Sequence, residues 1–129
     1  MPSHTTRLMI LVAGPYRSGT GDDPAKLAAN VAAMEVFAMP LFRAGHVPLV
    51  GEWLGLPLAT LAGSVRIGDA AFEEVFHPIA ERLLERCDAV LRVGGASEGA
   101  DRLVTVARAR GLTVYHSLRE VPGCAAAAG

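Results

Sequence analysis

The 129-residue sequence has only two cysteines, Cys87 and Cys124, with neither the spacing of a metal site nor the numbers for a disulfide framework. A small core residue is expected at Cys87, where an apolar run begins. Aromatic residues are scarce at 5%, so a core must be built from Ala, Val and Leu, with Phe37, Phe42, Phe72, Phe76 and Trp53 as scattered large pieces. Lysine is nearly missing: Lys26 stands alone and the other bases are arginine, which suits bidentate anion contacts and equally fits codon composition. Neither charge sign forms a block, with 12 basic residues against 13 acidic and a net charge of −1. Broad electrostatic attraction to a nucleic-acid polymer or a membrane is therefore not expected. The longest apolar run near the start, residues 8–13, is too short to span a bilayer and ends in Gly14-Pro15 rather than a cleavage site. A soluble cytoplasmic protein is expected.

What is present is a pattern of short apolar runs alternating with helical periods. Residues 8–13 read as a central strand buried on both faces. After the loop YRSGTGDD, Asp23 is a suitable N-cap and Pro24 a suitable first helical residue. Leu27, Val31, Met34, Ala38 and Leu41 continue that helix to Gly45, with a kink at Pro40. Residues 46–50 read as a second strand. Residues 53–67 mix glycine and proline with apolar residues and show no sustained period, so a short helix and a lid are the reading there. Asp69 caps a helix to Arg86, kinked at Pro78; residues 89–93 form a third strand. Ser97 caps a helix over 98–110 that Gly111 stops, and residues 112–116 form a fourth strand.

Strands alternating with helices imply an α/β fold: a four- or five-stranded parallel sheet with helices on both faces. One domain over 7–122 is expected, with tails at 1–6 and 123–129. Ligands in such sheets sit beyond the carboxyl ends of the strands, which singles out the loops at 14–23 and 94–99. Around 87–102, CDAVLRVGGASEGADR runs from a strand through glycines into a helix start, where backbone N–H groups can hold a phosphate or carboxylate.

Several motifs compete for that site. GASEG at 95–99 fits the G-x-S-x-G nucleophile elbow, and Ser97, Asp101 and His116 would then form a strained triad. A capping serine beside a glycine loop is the simpler reading. GPYRSGTGDD lacks the spacing of a P-loop or a dinucleotide fingerprint but offers Tyr16, Arg17, Ser18 and Thr20 to a monophosphate or sugar. His46, His77 and His116 form no ligand pattern, so structural roles are expected for them and no metal or cofactor.

The ordered set of GPYR at 14–17, Gly45-His46, CDAV at 87–90, S-x-G-A at 97–100 and A-x-x-x-G at 107–111 resembles the nucleoside 2-deoxyribosyltransferase-like proteins. That group includes deoxynucleoside-monophosphate N-glycosidases, and the resemblance spans residues 8–115. It implies a flavodoxin-like three-layer fold and binding of a nucleoside or nucleotide, with cleavage or transfer of the bond between deoxyribose and base through a carboxylate nucleophile. The substrate-binding residues it implies are Gly14, Pro15, Arg17, Asp88, Ser97, Glu98 and Gly99, with Tyr16 orienting the reacting groups. Association into homo-oligomers is also implied, and the apolar 53–61 segment is the expected contact. The sequence departs from the pattern at two positions: the nucleophilic glutamate falls at Leu103, and a second family carboxylate falls at Ala80. Asp101, or behind it Glu98, is the expected surrogate carboxylate, and a non-catalytic nucleotide-binding module is the alternative.

Overall fold

A computed structural model describes residues 6–124, and the expected tail segments 1–5 and 125–129 lie outside the described residues. Four parallel strands, β1 (Met9–Ala13), β2 (Val47–Val50), β3 (Ala89–Arg92) and β4 (Thr113–Tyr115), form one sheet in the order β2-β1-β3-β4. Leu11 on β1 lies opposite Leu49 on one side and Val90 on the other, and Val90 in turn lies opposite Val114. The central strands carry apolar side chains at successive positions because both faces are covered. Ile10, Val12, Ala89 and Leu91 meet Met34 and Leu41 on one face; Leu11, Ala13 and Val90 meet Leu84, Ala100 and Ala107 on the other.

The first face is covered by α1 (Pro24–Glu35) and α2 (Ala38–Arg43). One kinked helix is expected from the apolar period, yet two form. Proline 40 cannot donate to the carbonyl of Val36, so the ladder fails there and resumes with Pro40 inside the first turn of α2. Within Pro24–Arg43 an 18-residue window has a mean hydropathy of 1.3, and Leu27, Met34 and Leu41 in this span are buried in the protein's own core.

The second face carries α4 (Ala70–Leu84) and α5 (Glu98–Ala109), while α3 (Gly51–Leu61) packs on α4. Asp23, Asp69 and Ser97 cap α1, α4 and α5 as the sequence indicates, accepting from the amides of Lys26, Phe72 and Ala100. The short helix expected within residues 53–67 is α3, which starts earlier, directly after Val50, and runs through Pro57 to Leu61. Its glycines allow this. A Cβ on Gly55 would stand 3.3 Å from the Phe76 ring, and one on Gly51 would stand 3.7 Å from the Ala80 methyl, so α3 lies close along α4.

The domain also extends beyond its expected end at residue 122. A 3-10 turn at Leu118–Glu120 returns the chain to the first face, where Val121 and Cys124 are buried in the core. Cys124 is therefore anchored rather than part of a tail. His46 fixes this return: its Nδ1 accepts from the Leu8 amide at 3.0 Å, so its Nε2 carries the proton and donates to the Pro122 carbonyl at 2.7 Å. Both cysteines are free and buried, and burial pushes the Cys87 thiol up to about 11.

Candidate functional site

A cavity of ≈ 660 Å³ opens at the carboxyl end of the sheet, bounded by the ends of β1 and β2, the loop after β3, and helices α3, α4 and α5. This is where the winding direction reverses about β1 and β3, the usual ligand position in open parallel sheets.

One wall is the loop after β1, which is rigidly built. Thr20 donates its hydroxyl to the Arg17 carbonyl at 2.6 Å and accepts the Asp22 amide at 3.0 Å. Asn30 on α1 donates to the Tyr16 carbonyl at 2.7 Å. The Arg17 guanidinium spans both carboxylate oxygens of Asp22, at 2.9 and 2.8 Å, and lies over the Phe72 ring. That hydrogen-bonded pairing raises the Arg17 pKa and lowers that of Asp22. Arg17 thus lines the cavity already paired. Tyr16 is buried with its ring 5.2 Å from Phe76, and its hydroxyl makes no protein hydrogen bond among the described residues. Burial first, then the nearby acids Glu52 and Asp22, raise its pKa.

The opposite wall is the start of α5. The Ser97 hydroxyl accepts from Ala100 at 3.1 Å and the Ser97 carbonyl accepts from Asp101 at 3.0 Å. The amides of Glu98 and Gly99 lie in the unpaired first turn. The His77 ring stands over Gly99, where a Cβ would come within 3.5 Å of it. Arg102 lines the rim and pairs with Glu81 at 3.0 Å.

Of the residues implicated by the resemblance, Gly14, Tyr16, Arg17, Ser97, Glu98 and Gly99 line this cavity, as does Ser18 of the same loop, whereas Thr20 is spent inside the loop. Three that the resemblance implicates do not. Asp88 lies at the amino end of the sheet, where its carboxylate accepts the Met9 amide at 2.8 Å and its own amide donates to the Met9 carbonyl; it joins β3 to β1. Pro15 turns away and fills the space beside Gly94, where a Cβ would stand 2.7 Å from its ring. Asp101 faces out of the cavity and accepts from Arg92 Nε at 3.1 Å. The same guanidinium donates to the carbonyls of Val93 and Gly95, so Asp101 helps hold the loop after β3 and does not stand in for a cavity carboxylate. The Ser97, Asp101, His116 triad is likewise not assembled: Ser97 caps α5, Asp101 pairs with Arg92, and the His116 amide is bound to Glu120.

Ala80 and Leu103, the two positions where the resemblance would put carboxylates, both line the cavity as apolar groups. The carboxyl inside is Glu52, which sequence reasoning missed. It sits in the first turn of α3, one residue past the Gly51–Ala80 contact, and burial pushes it up to about 7. Its position directly after the second strand was the available signal, since only the loops after the first and third strands drew attention. His77, expected to be structural, also lines the cavity. No known family model matches the sequence, and no curated protein matches it.

Proposed function

We propose that the cavity binds a nucleoside or its 5′-monophosphate. The observation that carries this reading is the pairing of two unlike ends in one space: unpaired amides at the α5 start, and the Tyr16 and Phe76 rings across from them. Helix amides favour an anion, and aromatic faces favour a flat heterocycle. The resemblance in GPYR, CDAV and S-x-G-A supports the same ligand class. Titration calorimetry with deoxynucleosides and their 5′-monophosphates tests it: tighter binding of the phosphate-bearing members is expected, and no binding across the panel overturns it.

A second reading, cleavage of the N-glycosidic bond, is favoured by Glu52. A neutral carboxyl there protonates the leaving base as the C–N electron pair passes to the base nitrogen; water adds to the sugar carbon and returns a proton to the carboxylate. Chromatography of the incubated panel detects released base. Glu52→Gln is expected to slow release by about 10²-fold or more, the usual worth of a positioned acid. Unchanged release in that variant removes Glu52 from the reaction, and no release from the wild type leaves the binding module. Self-association is proposed as well, through the apolar side chains that α3 leaves exposed at Trp53, Leu54 and Leu61.

A further inference from the structure

Three acids line the cavity, and two of them are accounted for at its mouth. Asp22 is exposed and paired with Arg17, and Glu98 is exposed on the first turn of α5. Glu52 is partly buried and makes no ion pair and no side-chain hydrogen bond with another described residue. Among the described residues only its own backbone amide offsets the cost of burying this carboxyl, and nothing in the packing of α3 uses the group. It lines the cavity from the first turn of α3, the helix whose Gly55 packs against the Phe76 ring, and Tyr16 on the facing loop leans on Phe76. A heterocycle lodged beside these rings would bring its edge to Glu52.

We propose that Glu52 contacts the hydrogen-bonding edge of the bound base and sets which base the cavity takes. The inference rests on the nucleotide reading above. A neutral carboxyl offers a donor beside an acceptor and fits an edge such as that of adenine, where an amino group flanks a ring-nitrogen acceptor. An ionised carboxylate offers only acceptors and fits two adjacent donors, as guanine presents. Base preference should therefore turn over as Glu52 ionises, and the carboxyl's value of about 7 places the change near neutrality.

The charged and titratable groups around the same cavity are few. The loop after β1 contributes Tyr16, Arg17 and Asp22, α4 contributes His77, and α5 contributes Glu98 and Arg102. Strands β1 and β2 carry no titratable side chain, and Glu35 on α1 is bound to the Trp53 indole.

The test is the ratio of dissociation constants for 2′-deoxyadenosine and 2′-deoxyguanosine 5′-monophosphates, measured with wild-type protein on both sides of neutrality. The phosphate is common to both, so its own titration cancels in the ratio. Guanine is expected to gain on adenine as pH rises, by about tenfold or more in the ratio, the worth of a two-point base contact. Glu52→Gln keeps a donor beside an acceptor at every pH, so its ratio is expected to stay at the low-pH value. If both nucleotides bind wild type with a ratio that does not change with pH, the Glu52 assignment fails while the nucleotide reading stands. If neither binds at any pH, both fail. A pH effect that survives in Glu52→Gln and vanishes in His77→Gln moves the role to the imidazole and overturns the proposal.

Discussion

Glu52 has a consequence for stability that needs no ligand. Its carboxyl is raised from an ordinary 4.5 to about 7 by burial, so the folded chain holds that proton where the unfolded chain has released it. Between those two values the unfolded state binds fewer protons, and stability falls as pH rises; below and above the window the contribution is flat. The full loss is about 3 kcal/mol by linkage. Glu52→Gln is expected to melt with wild type near the lower limit and several degrees above it on the alkaline side, in thermal melts taken across the window. Parallel melting curves at every pH would show that the carboxyl is solvated. Ser97 is a second residue with a separable part. Its hydroxyl caps α5 at Ala100, and Ser97→Ala is expected to cost about 1 kcal/mol. For a domain of this size that is a fall in melting temperature of about 4 °C, readable by calorimetry.

At the scale of elements, the two loops that frame the cavity are set against each other by one close contact. Gly94 has φ +76° and no room for a Cβ, which would stand 2.7 Å from the Pro15 ring. Gly94→Ala therefore meets a left-handed backbone penalty and a clash together. A loss of about 2–4 kcal/mol is expected, measured by denaturant unfolding. A loss below about 0.5 kcal/mol, within the range of ordinary surface changes, would mean the loops are not held this way. The same elements show what the sequence made legible. Alternating apolar runs and the caps at Asp23, Asp69 and Ser97 announce a parallel sheet and the starts of three helices, because these signals are local. A short helix was legible within residues 53–67, but its start at Gly51 and its run through Pro57 to Leu61 were not, since Gly51, Gly55 and Pro57 weaken intrinsic propensity and only contact with α4 makes the glycines useful. Asp88 and Asp101 misled for a related reason. Both are acids beside a strand, and only the fold reveals that one joins strands at the far end of the sheet and the other holds Arg92.

For the whole molecule, the side chains left in water are as informative as the core. Met39 and Phe42 on α2, Val47 on the edge strand β2, and Trp53, Leu54 and Leu61 on α3 are all exposed. If copies of the chain meet through the α3 part of this surface, sedimentation should report a dimer or larger species. Leu54→Lys combined with Leu61→Lys should then return it to monomer with little change in melting temperature at low concentration. A wild type that sediments as a monomer throughout removes the proposal. At the other end of the sheet, one imidazole receives the Leu8 amide on one side and reaches the Pro122 carbonyl on the other. Among the described residues the two ends of the chain thus meet at His46, with the cavity on the opposite rim of the sheet. A circularly permuted chain, with residues 7 and 124 bridged by a linker so that buried Cys124 is kept, and new ends cut in the turn after α3, should therefore fold to the same sheet.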